Sequence, residues 1–390
     1  MPVSTPPLAL YLHFPWCVSK CPYCDFNSHA LSGALPQQAY LDALLADVET
    51  QRAQVSARRV VSLFLGGGTP SLFAPEAIAR LLTALRERLT IDAAAEVTLE
   101  ANPGTIERGR FADYRAAGIT RVSLGAQSFA PPMLERLGRI HSAHDTYAAA
   151  AELHAAGLHN FNLDLMYALP AQDLAGALAD VRAAIALAPA HISHYQLTME
   201  PGTVFGGRPP AGLPDDELSY EMQRQCQAEL AAAGYAQYET SAYARPGAQC
   251  AHNLNYWNFG DYLGAGAGAH GKLTQAADGV IARTVREREP RRYLARGSIG
   301  PPVATRVQPA DLPFEFMMNA LRLVAGFEQS LYAARTGLPW ETVAAGIGRL
   351  AGRGLIASCD GEQKHWRPTE LGQRFLNDLI GEFLPVQPVV

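Results

Sequence analysis

The 390-residue chain carries 37 acidic and 32 basic residues, and 48% of it is hydrophobic. The length allows two or three domains, or one large barrel with an appendage, so a small disulfide-stabilised scaffold is excluded. The net charge of −5 provides no basic field that would attract nucleic acid or an anionic membrane. The sequence has no apolar run of about 18 residues and no signal-peptide pattern, and we expect a cytoplasmic protein.

The first half of the chain alternates between apolar runs and amphipathic helical patterns. This alternation predicts six strands, at residues 8–14, 60–65, 96–100, 121–125, 161–165 and 192–197. Helices are predicted between them, including 38–51, 75–89 and 173–187. Such β-α units form a parallel sheet, which carries its ligand-binding residues at the carboxyl ends of the strands. A helix over 215–234 and a strand over 238–243 follow.

The remainder of the chain lacks this alternation. Residues 277–313 are rich in arginine and proline, which predicts a solvated connector, with binding of anionic groups as the alternative. From residue 314, helical patterns, a strand over 355–359, an Asp360-Gly361 turn, a strand near Trp366 and a helix from Thr369 follow the order of a winged-helix domain. Because residues 311–390 contain seven basic and nine acidic residues, we expect this domain to pack or to act as a lid rather than to bind DNA.

Three of the six cysteines lie within eight residues, directly after the first predicted strand. Cys17, Cys21 and Cys24 form a CxxxCxxC motif, whose short spacings let three thiolates bind one inorganic core. Structural zinc takes four ligands, and no second cysteine pair accompanies this motif. A 4Fe-4S cluster held by three cysteines instead keeps one iron open for an exchangeable ligand. Of the other cysteines, Cys226 and Cys359 are predicted to be buried.

Glycine-rich and polar positions follow the later predicted strands. The glycines of LGGGTP at 65–70 let the backbone approach a ligand, with a plain tight turn as the alternative. Glu100, Gln127, Arg139 and Asp164 lie at or just beyond later strand ends. Carboxylates accept hydrogen bonds from ribose hydroxyls or an ammonium group, and arginine binds a carboxylate through two hydrogen bonds. Each acid alone is equally consistent with solvation or with helix capping.

The CxxxCxxC motif, with an aromatic residue before its last cysteine, resembles the radical S-adenosylmethionine superfamily. The resemblance implies a partial (β/α)6 barrel and a 4Fe-4S cluster on Cys17, Cys21 and Cys24. It also implies S-adenosylmethionine, chelated to the open iron through its amine and carboxylate. The residues expected at the S-adenosylmethionine site are Tyr11, Tyr23, Gly67, Gly68, Thr69, Glu100, Gln127, Arg139 and Asp164.

Longer segments are similar to the oxygen-independent coproporphyrinogen III oxidase family. They are YLHFPW at 11–16, GGGTP at 66–70, EANP at 100–103, SLGAQSF at 123–129, DLMYALP at 164–170 and HYQLTMEPGT at 194–203. True oxidases of this family have the pattern CxxxCxxCxC and a long N-terminal extension. This chain has Phe26 in place of the fourth cysteine and only a short segment before its first strand. Both differences favour the HemW branch of haem chaperones.

A segment from Cys250, with HNxxYW at 252–257, resembles the segment implicated in haem binding in that branch. The resemblance assigns His252 to the haem iron, since a neutral imidazole is a suitable axial ligand. A histidine packed among aromatic residues is the alternative, and Cys250 is a second candidate ligand. His13 and His29, which flank the cysteines, either tune the cluster or are ordinary loop residues. Residues 264–269 match GxGxxA, but no strong strand is predicted before them, so we expect no dinucleotide site.

The predicted fold is thus α/β, with a radical-SAM core barrel over 1–205, an extension over 206–275, a connector over 276–313 and a winged-helix-like α+β domain over 314–390. The expected function is that of a haem chaperone that binds a 4Fe-4S cluster, S-adenosylmethionine and haem, and delivers haem to an acceptor protein. Further expected partners are an electron donor and, through peripheral contact, membrane haem enzymes; nucleic acid is not expected. Coproporphyrinogen III decarboxylation and a structural metal site are the alternative functions, and coproporphyrinogen oxidase activity is not expected.

Overall fold

The computed structural model describes residues 3–104, 109–295, 300–359, 361–362 and 364–385. The strands in this part of the chain are β1 (Leu8–Phe14), β2 (Trp16–Cys17), β3 (His29–Ala30), β4 (Arg59–Gly67), β5 (Thr90–Ala101), β6 (Arg121–Gln127), β7 (Phe161–Tyr167), β8 (His191–Gln196), β9 (Ala236–Glu239), β10 (Ala242–Ala244), β11 (Asp261–Ala265), β12 (His270–Gln275), β13 (Val280–Val285), β14 (Val303–Arg306), β15 (Phe327–Glu328), β16 (Ile356–Ser358) and β17 (His365–Pro368).

The helices in the same residues are α1 (Gln37–Val55), α2 (Pro75–Arg88), α3 (Phe111–Ala117), α4 (Pro131–Arg136), α5 (Ala143–Ala155), α6 (Leu174–Ala186), α7 (Val204–Gly207), α8 (Asp216–Ala232), α9 (Ala251–Trp257), α10 (Pro290–Ala295), α11 (Leu312–Ala320), α12 (Gln329–Thr336), α13 (Glu341–Gly352), α14 (Glu370–Arg374) and α15 (Leu376–Gly381). A single 3-10 turn, Pro70–Leu72, follows β4.

Twelve of the described strands form one sheet, in the order β14-β13-β12-β11-β1-β4-β5-β6-β7-β8-β10-β9. The run from β1 through β4 to β8 is parallel throughout, as the six predicted β-α units require. β5 begins at Thr90, earlier than predicted, because Thr90 and Ile91 pair with the first residues of β4. The carboxyl ends of these parallel strands therefore lie along one edge of the sheet, where the site residues were expected.

The covering helices have the local signals that their sequences indicate. α2 starts with a proline, has Glu76 in its first turn and has Arg86 and Arg88 in its last turn, which suits the helix dipole. Its apolar residues recur at helical spacing and are buried against the sheet. α6 is capped by Asp173, whose side chain accepts a hydrogen bond from the Gly176 amide at 2.8 Å. These helices bury the faces of the strands and leave the strand ends free.

Residues after β8 extend the sheet at both edges. The single strand predicted over 238–243 is a hairpin of two strands, β9 and β10, because the Glu239 carboxylate accepts from the amide of Ser241 and turns the chain there. The expectation that no strand precedes the GxGxxA match is wrong, since β11 lies parallel to β1. Its short sequence, DYLGA, carries a weak strand pattern, and its pairing with β1 and β12 decides its conformation.

The structure differs from the solvated connector predicted over 277–313. β13, α10 and β14 lie in this segment, and β13 and β14 pair within the large sheet. Arg286 is buried in an ion pair with Asp47 of α1. An arginine-rich sequence predicts solvated side chains only where no buried acid is available to pair with them. Here Asp47 of α1 is such an acid for Arg286. Arg296, another arginine of this segment, lies outside the described residues.

The C-terminal residues form a second core around Phe316, Tyr332 and Trp366. Three helices, α11 to α13, pack on a small sheet in the order β15-β17-β16, which follows the predicted winged-helix order. Asp360 of the predicted turn lies outside the described residues. Cys226 is buried as predicted, but the prediction of a buried Cys359 is wrong, because this thiol follows the end of β16 and is exposed.

None of the described helices combines the length and hydropathy needed to cross a membrane.

Candidate active site

The three motif cysteines lie in a segment, residues 17–28, that we call the cysteine loop. Cys17 ends β2, which pairs with β3, and a backbone hydrogen bond from Cys24 N to Cys21 O closes a turn at 3.2 Å. All three thiols are partly buried and line one cavity at the carboxyl ends of the parallel strands. Burial raises the pKa of Cys17. The loop therefore directs three thiols toward a common space from a short stretch of chain.

A chain of polar contacts holds the cysteine loop to β1 and to the β11–β12 turn. Burial lowers the pKa of His13 to about 4, so its ring is neutral. His13 Nε2 donates to Asn27 O at 2.9 Å, which leaves Nδ1 to accept from the Tyr11 hydroxyl at 2.9 Å. The Asn27 amide donates to the carbonyls of Ala267 and Arg288. His13, whose role the sequence left open, thus supports the loop backbone.

The glycine triplet, residues 66–68, lies at the end of β4 and packs against the start of the cysteine loop. Gly67 has φ of +112°, and a Cβ there would lie 2.4 Å from the His13 ring. A Cβ on Gly68 would lie 2.6 Å from the Trp16 carbonyl oxygen. The Gly68 amide donates to Phe14 O at 2.6 Å. A side chain at either glycine would therefore clash with neighbouring residues of the protein itself. The predicted close approach of the backbone thus occurs within the chain as well as at the cavity.

Two partly buried carboxyl groups face the cavity from β5 and β7. Glu100 accepts from the Gly67 amide at 2.8 Å, and burial together with the nearby Asp164 raises its pKa to about 7. Asp164 accepts from the Ser123 hydroxyl at 3.0 Å and from the Asn162 amide at 2.8 Å, and burial raises its pKa as well. Both groups retain acceptor capacity toward a ligand in the cavity.

Arg139 connects the cysteine loop to the strand ends. Its Nη1 lies 3.6 Å from Sγ of Cys21, and its Nη2 donates to Asn102 Oδ1 at 2.5 Å and to Gly125 O at 2.8 Å. Its Nε is buried and has no partner among the described residues. An unpaired buried donor of this kind is energetically unfavourable unless a ligand accepts from it. The guanidinium is thus placed to bind an anionic group.

Gln127 stands at the end of β6 with φ of +66°, a strained conformation for a residue other than glycine. The register of β6 with β7 shifts between Leu124 and Gln127, which accounts for the local distortion. The Gln127 side chain accepts from the Tyr195 hydroxyl at 2.8 Å. The distortion turns this side chain into the cavity.

Most of the predicted site residues meet in this one cavity. They are Cys17, Cys21, Tyr23, Cys24, Gly67, Gly68, Thr69, Glu100, Gln127, Arg139 and Asp164. Two predicted site residues lie outside it: Tyr11 lines an adjoining cavity behind Gly67, and His252 lines neither cavity. The sequence analysis missed Asn102, Ser123 and Tyr195 as lining residues. All three lie inside the motifs that carried the family resemblance, so strand-end position within a motif would have found them.

Two regions of the chain match models of known protein families. The Radical SAM superfamily matches residues 11–181, and the HemN C-terminal domain matches residues 307–375. The heme chaperone HemW of Escherichia coli strain K12 is 49% identical, over 98% of this chain and 99% of the relative. The chain belongs to the HemW family. The heme chaperone HemW of Haemophilus influenzae is 47% identical over 97% of this chain and 98% of the relative.

The chain also has the fold of a solved structure. Coproporphyrinogen III oxidase (HemN) from Escherichia coli, described as a radical SAM enzyme, matches with a TM-score of 0.80 and 22% identity. The match covers 97% of this chain and 90% of that chain. At this identity the likeness concerns the fold alone, and it confirms the predicted α/β class with its radical-SAM barrel. The match of residues 307–375 confirms a HemN-type C-terminal domain.

The HNxxYW segment forms α9, with His252 in its buried part. His252 is 1% exposed, its Nδ1 lies 3.1 Å from the Ser62 hydroxyl and its Nε2 lies 2.9 Å from the Tyr256 hydroxyl. Burial lowers its pKa to about 3. Both nitrogens are therefore occupied, and the assignment of His252 to haem iron does not agree with this conformation. The alternative, a packed histidine, describes it. Cys250 is also buried.

The cavity fits the cofactors that the Radical SAM superfamily implies. Three thiols of one loop face a glycine turn without side chains, two partly buried carboxyl groups and an arginine with an unpaired Nε. Thiolates suit iron-sulfur clusters, and an acceptor together with a guanidinium suits a zwitterionic amino-acid group. In the described part of the chain, no three His, Cys, Asp or Glu side chains are arranged to hold a single metal ion.

Proposed function

We propose that this protein is a haem chaperone of the HemW type, which binds a 4Fe-4S cluster, S-adenosylmethionine and haem and delivers the haem to an acceptor protein. The observation that carries the proposal is the single cavity that joins the three thiols to the glycine turn, Glu100, Arg139 and Asp164. Relatives that align over nearly the whole chain are named heme chaperone HemW, which supports the same function.

In this proposal Cys17, Cys21 and Cys24 hold the cluster through their thiolates. When bound, the cluster would supply an electron and an open iron that the amine and carboxylate of S-adenosylmethionine would chelate. Among the remaining lining residues, Arg139 binds an anionic part of the ligand through its free Nε, and Glu100 and Asp164 accept hydrogen bonds from ammonium or ribose hydroxyl groups.

Smaller roles fall to six further positions. Gly67, Gly68 and Thr69 border the ligand with backbone groups, Gln127 reaches it from the strained end of β6, and Tyr23 covers the cysteine side. Tyr11 acts indirectly, because its hydroxyl holds His13 and thereby the cysteine loop.

The oxidase alternative is weakened by the residue two positions after Cys24. Phe26 occupies the place of the fourth cysteine in the oxidase pattern, and it is 58% exposed at the mouth of the cavity. We propose an acceptor protein as the destination of the haem, in line with the name of the full-length relatives, heme chaperone HemW. An electron donor for the cluster and membrane haem enzymes are the further proposed partners.

The proposal is tested with anaerobically reconstituted protein. We expect about four irons and four sulfides per chain, which the Cys17→Ala/Cys21→Ala/Cys24→Ala variant fails to take up. We also expect a Soret band on titration with haem, and transfer of this haem to an apo-haem protein.

Three results would contradict the proposal. A spectrum of added haem that the protein leaves unchanged would exclude the chaperone function. Protoporphyrinogen formation from coproporphyrinogen III, with reductant and S-adenosylmethionine present, would establish the oxidase instead. One zinc per chain without sulfide would support a structural metal site.

A further inference from the structure

A second cavity adjoins the cysteine-loop cavity and is not used by the cofactors assigned above. It has a volume of about 400 Å³ and shares Phe26, Gly67 and Glu100 with the first cavity. This volume lies in the range of small-molecule sites. Residues from α9, β11 and the start of β12 close its far side. A ligand in it would therefore lie next to the cluster site, between the barrel mouth and the HNxxYW helix.

His270 enters this cavity at the first position of β12. Its side chain is exposed, and neither ring nitrogen has a hydrogen-bond partner among the described residues. Partial burial, with Arg288 and Arg283 nearby, lowers the pKa of His270, so the ring is neutral and a nitrogen lone pair is available. Among the histidines near the barrel mouth, His252 and His13 have both ring nitrogens engaged by hydrogen bonds.

The walls of the cavity suit a flat, apolar ligand. The rings of Tyr256 and Tyr262 meet edge-to-face at 4.5 Å between centroids, and the exposed ring of Phe26 stands on the side of the cysteine loop. Aromatic faces and edges pack well against a conjugated macrocycle. The Tyr256 hydroxyl is held by His252, so this part of the wall is fixed by the interior of α9.

The charges at the cavity are arranged for a ligand with carboxylates on one side. The guanidinium of Arg288 is exposed and makes no hydrogen bond or ion pair among the described residues. Arg283 is already bound to the Tyr262 hydroxyl and to Glu315. Asp25 and Glu100 are the acids that line the same cavity. Arg288 is therefore the cation available to a ligand carboxylate. The side of the cavity that holds Asp25 and Glu100 is unfavourable for a carboxylate.

We propose that haem binds in this second cavity, with His270 as an axial ligand of the iron and Arg288 paired with a propionate. The inference rests on the proposed function, since haem is the cargo there, and it names the residues that hold the cargo. His252 then acts as a positioning residue, because it holds the Tyr256 hydroxyl at the cavity wall without touching the iron.

The experiment is a haem titration of the reconstituted full chain, followed by the Soret band, for the wild type and three variants. His270→Ala should lose the spectrum of histidine-ligated haem and bind about tenfold more weakly or worse, and added imidazole should restore the spectrum. His252→Ala should keep the wild-type Soret position with a weaker affinity. His144→Ala is the matched control, because His144 is exposed on α5 and should leave both properties unchanged.

Arg288 is tested with a modified ligand. Arg288→Ala should weaken haem binding about tenfold, as expected for one charge-assisted hydrogen bond. Haem dimethyl ester, whose propionates carry no charge, should bind the wild type and Arg288→Ala equally. A tenfold difference for the ester as well would overturn the pairing with a propionate.

The outcomes separate this inference from the proposed function. If the wild type binds no haem, the proposed function fails and the inference fails with it. If the wild type binds haem and His270→Ala retains the same Soret position, the proposed function stands and His270 is excluded. A histidine-ligated spectrum that is lost in His252→Ala and kept in His270→Ala would identify His252 of α9 as the iron ligand and would also overturn the inference.

Discussion

Asp47 of α1 joins the helix to three later parts of the chain, and its removal offers a direct test of how the cysteine loop is supported. Its carboxylate pairs with Arg286 and accepts from the Gly266 amide at 3.0 Å and the Tyr293 hydroxyl at 2.9 Å. Asp47 and Arg286 are both buried. Gly266 lies in the β11–β12 turn. The next residue of this turn, Ala267, accepts a hydrogen bond through its carbonyl from the Asn27 amide of the cysteine loop.

Asp47→Ala removes the buried counter-charge of Arg286 and leaves two further donors without their acceptor. Breaking a buried pair from one side typically lowers the free energy of unfolding by about 3–5 kcal/mol. For a chain of 390 residues this corresponds to a melting temperature lower by about 4–6 °C. We also expect faster loss of iron from the reconstituted protein, since the turn that supports the loop loses its anchor.

The assay is urea unfolding and thermal melting of the variant beside two controls. Asp42→Ala, at an exposed position of the same helix, should change the free energy of unfolding by less than about 0.5 kcal/mol. Burial raises the pKa of Asp47 despite Arg286. The Asp47→Leu/Arg286→Met double variant removes the unpaired guanidinium but leaves the Gly266 amide and the Tyr293 hydroxyl without the carboxylate, so it should recover only part of the loss. An Asp47→Ala variant as stable as Asp42→Ala would refute this reasoning.

Three further predictions follow from the site and the cysteines. Gly68→Ala places a Cβ 2.6 Å from a backbone carbonyl oxygen and should abolish S-adenosylmethionine binding in equilibrium dialysis, whereas Gly207→Ala, with open space around its Cβ, should bind normally. Because the pKa of Glu100 is raised to about 7, its carboxylate gains charge as the pH rises, and affinity for the cationic ligand should be about tenfold higher at pH 8 than at pH 6; an equal pH dependence in Glu100→Gln would contradict this. Cys359 should react with a maleimide in the native protein while Cys226 stays protected, and equal labelling of both thiols would speak against the described packing.

The barrel and its strand ends could be predicted because their signals are local. The strands β1, β6 and β7 are largely apolar and buried on both faces, and parallel strands place their last residues along one edge. This rule places the motif residues Cys17, Glu100 and Asp164 at the same edge of the sheet, although no distance between them is known from the sequence. The same local pattern was too weak for β11, whose small residues form a strand only through their neighbours.

The histidines show where such prediction ends. His252 and His270 are both flanked by aromatic or glycine-rich sequence, and only the motif distinguished them. The structure separates them by their partners, since the Ser62 that occupies His252 lies 190 residues away in the sequence. Hydrophobic periodicity in the sequence does not predict a contact between residues so far apart in the chain.

By itself, the sequence determined the α/β class, the cysteine loop and the ligand-facing strand ends of this HemW-family chain, because hydrophobic period and motif spacing act over a few residues. The tertiary structure alone decided that Arg286 of the arginine-rich segment is buried, that both ring nitrogens of His252 are occupied and that those of His270 are free. The physical reason is that solvation is set by the groups packed around a side chain, and those around Arg286 include a helix 239 residues earlier in the chain.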